Sequence, residues 1–181
     1  MKPNRKTIAV VIIVATALAL VAGLMLNSRS SLPDQSRDAV QSSSGSSDRA
    51  ELPEFSARLI DGKTFTSDDI EAPAVIHLYA SWCQVCKSEA PAFAELQRTY
   101  GDKLNFYFVA VEDTPTKARG FMREHGWQDA PLIDDPRREL EAEFSLVGQP
   151  HTIYVDRDRK LSVHQGGGSF GDLEALARSI S

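Results

Sequence analysis

The two cysteines of this 181-residue chain, Cys83 and Cys86, are separated by only two residues and are its side chains best suited to covalent chemistry. They follow an apolar run over residues 74–80, which is typical of a strand buried on both faces. A helix is predicted from about Cys83 to Tyr100, and the unpaired N–H groups at a helix start favour a thiolate over a thiol. The spacing therefore predicts thiol–disulfide exchange, which requires neither a metal nor a cofactor.

Metal binding is the main alternative use of the two thiols. A zinc site would need histidines as further ligands, and the four histidines of the chain lack the paired spacing of zinc knuckles. A copper chaperone remains an alternative, because thiolate and imidazole suit copper and the ligands would be Cys83, Cys86 and either His77 or His151.

The charge distribution argues against one class of partner. Four basic residues and no acidic ones occupy the first thirty positions, so the remainder carries 16 basic and 25 acidic residues, a net charge near −9. An acidic surface opposes binding to nucleic acid by phosphate neutralisation. We therefore expect no nucleic-acid partner.

The N-terminal region has the composition of a membrane anchor followed by a tether. Residues 7–26 are apolar or small, and about twenty such residues form a helix of about 30 Å, which matches a bilayer core. The basic residues of segment 1–6 predict a cytoplasmic N-terminus, a single membrane pass, and a remainder outside the cytoplasm, in the bacterial periplasm or at the cell exterior. A cleaved signal peptide is the alternative. Residues 27–51 are predicted to form a flexible Ser-rich linker, and residues 52–181 the folded domain.

The folded region alternates strand and helix patterns. The predicted elements are a hairpin over 55–66, a strand over 74–79, the helix over 83–100, a strand over 104–111, a helix over 116–125, a short extended piece over 132–133, a helix over 137–144, a hairpin of strands over 151–155 and 161–165, and a final helix after a capping box at Ser169 and Asp172. This order predicts an α/β domain whose sheet is mixed.

Three motifs in this order resemble the thioredoxin superfamily: Trp82-Cys83-Gln84-Val85-Cys86, the β-α-β then β-β-α succession, and Val147-Gly148-Gln149-Pro150-His151-Thr152 before a strand. The segment 87–91, the leading hairpin and the helical insertion after Val111 resemble the membrane-anchored TlpA/ResA branch. The resemblance implies a thioredoxin-like α/β fold over about 52–181, with a mixed central sheet flanked by helices, an N-terminal β-hairpin and a helical insertion.

The resemblance also implies roles for particular residues. Cys83 would be the attacking thiol, Cys86 the resolving thiol, and Pro150 a cis-proline packed against the pair. The backbone before Pro150 would offer an edge on which an extended substrate segment can pair. Substrate contacts are expected from Trp82, Gln84, Val85 and Gln149.

Three ionisable side chains are further candidates. Glu89 follows Cys86 by three residues and matches a buried functional carboxylate of the resembled branch, where burial would raise its pKa and let it trade a proton with Cys86. The alternative is a solvated glutamate. His77 occupies a position where thioredoxin has an acidic residue, and it is expected to be either a proton relay or a hydrogen-bonded core histidine. A neutral imidazole could relay protons, whereas a charged one would favour the thiolate. His151 follows Pro150 and is expected near the thiols.

The function expected from these features is that of a membrane-anchored thiol–disulfide oxidoreductase that reduces disulfides of client proteins. In the resembled branch, such domains take electrons from a membrane thiol carrier and pass them to apocytochrome c or other clients. A disulfide-forming oxidase using the same pair, and the copper chaperone, are the alternatives. A peroxiredoxin is disfavoured because the threonine-containing loop motif of that group is absent.

Overall fold

The computed structural model describes residues 49–181. The strands are β1 (Ser56–Leu59), β2 (Thr64–Thr66), β3 (Ala74–Tyr79), β4 (Asn105–Val111), β5 (Leu132–Asp135), β6 (His151–Val155) and β7 (Leu161–Gln165). The helices are α1 (Gln84–Tyr100), α2 (Pro115–His125), α3 (Glu139–Glu143) and α4 (Phe170–Ile180), with a short 3-10 turn at Ser67–Asp69. The anchor predicted at residues 7–26 lies outside the described residues. Between residues 49 and 181, no helix is both long enough and apolar enough to cross a membrane.

The strands form one mixed sheet in the order β2-β1-β5-β4-β3-β6-β7. The central strand β4 pairs in parallel with β3 on one side and with β5 on the other. The next strands outward are antiparallel: β1 pairs with β5, and β6 pairs with β3. The β1–β2 pair is the predicted hairpin, and β5 with α2 forms the predicted insertion. The mixed sheet flanked by helices, inferred from the order of elements, is confirmed.

The sheet separates two cores that differ in the helices covering them. The first core contains side chains of α1, α2 and α4, and we call this side of the sheet the α1 face. The second contains side chains of α3 and of the segment before β3, and we call it the α3 face. Because successive side chains of a strand point to opposite faces, β3 sends Val75 and Tyr79 to the α1 face and Ile76 and Leu78 to the α3 face.

Local signals explain where most helices begin and end. Cys83 has extended backbone angles and caps α1, so the helix begins at Gln84, one residue later than expected. Gly126 ends α2 in the left-handed conformation that glycine adopts without a steric penalty. The predicted capping box of α4 is confirmed, since Ser169 and Asp172 each accept a hydrogen bond from the other's backbone N–H.

Helix α3 is shorter than the predicted span of 137–144. Arg138 has a φ of 61°, which is outside the helical region and delays the start of the helix. The carboxylate of Asp135 then accepts hydrogen bonds from the N–H groups of Leu140 and Glu141, so it satisfies donors in the first turn. Side-chain capping from the preceding strand therefore determines where this helix begins.

Residues 49–51, which were predicted to belong to the linker, contact the edge of the sheet. The N–H of Leu161 donates to the carbonyl of Ala50 at 2.8 Å, and the side chain of Arg49 pairs with Asp156. Glu51 forms an ion pair and an isolated bridge with Lys160. The chain is thus attached to β7 and its preceding turn from Arg49 onward.

Candidate redox site

The cysteines lie where β3 leads into α1. After the strand, the N–H of Cys83 donates to the carbonyl of Ala80 at 3.1 Å. The N–H of Ser81 donates to the carboxylate of Asp113 at 2.6 Å, and Asp113 follows β4 by two residues. The connection between β3 and α1 is therefore held by the neighbouring strand's loop, which places Cys83 at the helix N-terminus.

The two cysteines are joined in a disulfide and differ in their access to solvent. Their Cα atoms are 5.3 Å apart. Cys83 is 7% exposed, whereas Cys86 is fully buried. The N–H of Cys86 points at the sulfur of Cys83 over 3.1 Å, and such a donor, together with the helix dipole, stabilises a thiolate at Cys83 in the reduced state. The arrangement makes Cys83 the sulfur that an external disulfide can reach.

The segment before β6 lies against this sulfur. The Gln149–Pro150 peptide bond is cis, as the resemblance implies, and Pro150 is buried. The carbonyl oxygen of Gln149 lies 3.8 Å from the sulfur of Cys83. His151 is almost fully buried, and its Nδ1 is hydrogen-bonded to the carbonyl of Gly148 at 2.7 Å. His151 therefore helps to hold the turn that contacts Cys83.

The surface around Cys83 is apolar. Trp82 is 52% exposed and Val85 is 47% exposed, and Val147 in the turn before Pro150 is largely exposed as well. The indole N–H of Trp82 donates to the carbonyl of Glu112 at 3.0 Å, so the ring is held in one orientation. Gln84 is also exposed. Of the predicted substrate contacts, Trp82, Gln84 and Val85 thus lie at the surface beside Cys83, whereas Gln149 is half-buried. The substrate-binding roles of all four remain predictions.

Glu89 is a buried carboxyl one helical turn beyond Cys86. Its side chain is 1% exposed, and Oε1 accepts a hydrogen bond from the backbone N–H of Gly168 at 3.1 Å. Burial raises the pKa of Glu89 to about 7, against the smaller opposing effect of the Gly168 hydrogen bond. The alternative of a solvated glutamate is therefore wrong. A carboxyl that titrates near neutral pH can accept or release a proton during exchange.

His77 is a fully buried histidine on the α1 face of β3. Its Nδ1 is hydrogen-bonded to the hydroxyl of Thr152 at 3.0 Å, and its ring stacks on Phe93 with centroids 4.2 Å apart. Burial, followed by the charges of His151 and His164, lowers the pKa of His77 to about 3. The ring is therefore neutral at physiological pH, which argues against a charged histidine that favours the thiolate. The geometry is that of a hydrogen-bonded core histidine.

Two residues near the site were not anticipated. Gly168 supplies the hydrogen bond to Glu89 from 79 positions away, and His164 packs against Gly168. The available signal was the run Gly166-Gly167-Gly168 between β7 and the capping box of α4, because consecutive glycines often mark a close approach of backbone to another group.

A zinc or copper site would need several ligand side chains in one place. Among residues 49–181, no three histidine, cysteine, aspartate or glutamate side chains come together in a group that could hold a metal ion.

Comparisons with known proteins agree with the fold. The thiol:disulfide interchange protein DsbE homolog of Paracoccus denitrificans (strain Pd 1222) is 29% identical over 121 residues, which cover 65% of this chain and 65% of that protein. The thiol:disulfide interchange protein HelX of Rhodobacter capsulatus is 32% identical over 107 residues, which cover 59% of this chain and 54% of HelX. This chain thus spans less than two thirds of the length of both relatives.

Solved structures extend the agreement to the backbone. The structure of MTB DsbF in its mixed oxidized and reduced forms matches with a TM-score of 0.64 at 25% identity, and the match covers 70% of this chain and 95% of that chain. The similarity confirms the thioredoxin-like fold and the resemblance to the TlpA/ResA branch. The AhpC/TSA family model matches residues 49–164, and on the strength of that match the chain belongs to the AhpC/TSA family.

Proposed function

We propose that this protein is a thiol–disulfide oxidoreductase that exchanges disulfides with client proteins through Cys83 and Cys86. The observation that carries the proposal is the unequal burial of the pair at the start of α1: Cys83 reaches the surface and Cys86 does not. One sulfur can therefore meet a client while the other is protected from all but its neighbour. The names of the two relatives, both thiol:disulfide interchange proteins, support the same activity.

The reaction begins with the pair reduced. The Cys83 thiolate attacks one sulfur of a client disulfide, the client S–S bond breaks, and the leaving client sulfur takes up a proton. Cys86 then loses its proton and attacks the Cys83 sulfur, which breaks the mixed disulfide and releases the second client thiol. The client gains two electrons and two protons, and the Cys83–Cys86 disulfide seen in the structure is formed.

Glu89 is suited to take the proton that Cys86 loses in the second step. It lies on the same helix three residues beyond Cys86, and its pKa of about 7 leaves a substantial fraction of the carboxyl ionised near neutral pH. Because Cys86 is buried, water has little access to its thiol, so a nearby carboxylate would serve as the base.

The proposal has finer parts that rest on the sequence. The apolar segment 7–26 would anchor the chain in the cell membrane with the site outside the cytoplasm. There, a membrane thiol donor would reduce the pair again. The resemblance to the TlpA/ResA branch supports reduction over oxidation of clients, with apocytochrome c as an example of a client.

Trapping tests the exchange reaction directly. In a Cys86→Ala variant of the full-length chain the mixed disulfide at Cys83 cannot be resolved, so we expect client proteins to remain attached on non-reducing gels. A Cys83→Ser/Cys86→Ala double variant is the matched control and should trap nothing. If the single variant carries no adduct above the double variant, the exchange activity is refuted.

Two further measurements address the finer parts. Equilibration with glutathione gives the reduction potential of the pair, and a strongly oxidising value would contradict the reductase direction. Alkaline extraction of membranes from the native host tests the anchor: the full-length chain should stay in the membrane pellet, and its release would contradict anchoring.

A further inference from the structure

In the loop of residues 166–168, which joins β7 to α4, Gly167 and Gly168 approach their neighbours too closely for a side chain. Gly166 has a φ of 81°, which lies in the left-handed region. A Cβ added to Gly167 would lie 2.7 Å from Cγ1 of Val85, and a Cβ added to Gly168 would lie 2.7 Å from Nε2 of His164. The loop is therefore packed between the second residue of α1 on one side and the His164 ring of β7 on the other.

This loop provides the hydrogen bond to the buried carboxyl of the site. The N–H of Gly168 donates to Oε1 of Glu89 at 3.1 Å, while Oε2 has no hydrogen-bond partner within the part of the chain that the structure describes. A donor to a carboxylate favours its charged form, so this single N–H opposes the effect of burial. The position of one backbone amide thus influences whether Glu89 is ionised.

Three consecutive glycines do not by themselves hold an amide in place. Glycine has more backbone freedom than any other residue, so an unsupported loop of glycines would lose much of its entropy when it docks on Glu89. The contacts with Val85 and His164 restrict that freedom in the folded protein. Of these two neighbours, His164 is the one that lies against Gly168 itself, the residue whose N–H donates to Glu89.

The place of His164 is set by the sheet. It is paired in register with Thr152 of β6, which is paired in turn with His77 of β3. Residues directly opposite each other in a sheet point to the same face, so His164 lies on the α1 face with the rest of the site. Its Nε2 is buried and accepts or donates no hydrogen bond within residues 49–181, which is consistent with a ring whose role is packing.

We propose that His164 is a positioning residue for Glu89: its ring fixes the loop of residues 166–168 so that the N–H of Gly168 stays against the buried carboxylate. The inference deepens the proposed function, since it rests on Glu89 taking part in thiol–disulfide exchange. It adds a residue of β7, far from the cysteines in sequence, to the groups that control proton transfer at the site.

The elements that cover the α1 face carry other ionisable groups, which have to be considered in any measurement of the titration of Glu89. They are His77 on β3, Tyr154 on β6, His164 on β7, and Asp172 and Glu174 on α4. His151 pairs with Leu78 and therefore lies on the α3 face, and Cys86 does not titrate while it is in the disulfide. The hydroxyl of Tyr154 donates to the carbonyl of Leu173 at 3.0 Å, so it is engaged elsewhere. Over residues 49–181, Gly168 is the hydrogen-bond donor found on Glu89.

The experiment measures the pKa of Glu89 by carbon-13 NMR of the oxidised full-length chain labelled at the glutamate carboxyls, with Glu89→Gln to assign the signal. In Gly168→Ala the new Cβ meets the His164 ring, the loop moves, and the pKa of Glu89 should rise by roughly one pH unit. His164→Ala frees the loop and should raise it by a smaller amount.

The double variant Gly168→Ala/His164→Ala provides the sharpest comparison. Removing the ring makes room for the Cβ, so the double variant should titrate no higher than His164→Ala alone. A Cβ at Gly168 would also approach Leu173, but only to 3.3 Å, a contact that a small movement relieves. Gly171→Ala is the matched control, because its Cβ would meet only the Ser169 hydroxyl at 3.9 Å, and it should titrate like the wild type.

Two results would overturn the proposal: a wild-type pKa in His164→Ala, or a double variant that titrates as high as Gly168→Ala. The result for His164→Ala tests the proposal even if Gly168→Ala does not fold. Because the oxidised protein is used, these readings are independent of client exchange. If the pKa moves as expected but the pH profile of exchange by the reduced protein does not follow it, the role of Glu89 in exchange is refuted and the positioning by His164 stands.

Discussion

The two faces of the central sheet bury side chains of different chemistry. The α3 face is packed mostly with aliphatic groups of the central strands, among them Ile76, Leu78, Val109 and Ile153. The buried carboxylates at the start of α3 are held in place, Asp135 by hydrogen bonds from the helix and Glu141 by an ion pair with Arg138. The α1 face buries the redox pair and also Glu89 and His77, each with a strongly shifted pKa. One face therefore supplies stability through close packing, and the other gives up part of that stability to hold groups that can exchange protons and electrons.

The largest expected effect on stability is on the aliphatic face. Ile76→Ala removes a side chain that is almost fully buried at the centre of the sheet, so it should lower the free energy of unfolding by about 2–5 kcal/mol. Urea denaturation at several pH values measures the loss. The pH dependence of stability should stay that of the wild type, and a changed pH dependence would show that the two faces are coupled.

The next largest effect is a pH dependence of stability that arises from Glu89 on the α1 face. Because burial raises the pKa of Glu89 from 4.5 to about 7, the folded state holds this proton more tightly than the unfolded state. The contribution of Glu89 to stability is then greatest below about pH 4.5 and is lost as the pH rises through about 7. The loss amounts to on the order of 3 kcal/mol.

Glu89→Gln should remove that dependence, because the amide is neutral at every pH. Urea denaturation of the oxidised wild type and variant at pH 5 and pH 8 gives the two differences to compare. His77 titrates in the opposite sense, since its lowered pKa costs stability as the pH falls from about 6.5 towards 3, but it is present in both proteins and cancels. Parallel curves for wild type and variant would contradict the raised pKa.

The smallest effect on stability is expected at the surface beside Cys83. Trp82→Ala should change the free energy of unfolding by less than about 1 kcal/mol, because half of the side chain is already exposed. Exchange with a protein client should slow by roughly three- to tenfold through lost apolar contact, while exchange with oxidised glutathione should be nearly unchanged.

Val163→Ala is the control for that experiment. Val163 is similarly exposed, but it neighbours His164 on β7 and therefore points to the other side of the sheet. Val163→Ala should change the rate of exchange neither with the protein client nor with oxidised glutathione. Equal slowing with protein client and glutathione in Trp82→Ala would show that the indole acts on the cysteines and not on the client.

Much of the fold follows from signals that are local in the chain. The apolar run of β3, the Cys83–Cys86 spacing, the stop at Gly126 and the capping box of α4 each depend on residues only a few positions apart, and each was predicted within a residue or two. Such features depend on the geometry and hydrogen bonding of residues that are close in sequence, so a short stretch of sequence is enough to predict them. The start of α3 was misplaced because the left-handed Arg138 and the cap from Asp135 have no comparable sequence pattern.

The state of the site depends instead on residues that are distant in the chain. Sequence alone left open whether Glu89 is solvated, whether His77 carries a charge, and which loop lies over the carboxyl. Folding decided all three, by burying both side chains and by bringing Thr152 to His77 and Gly168 to Glu89. A pKa reflects the surroundings of a group in three dimensions, and those surroundings arise only when the sheet assembles and its helices exclude water.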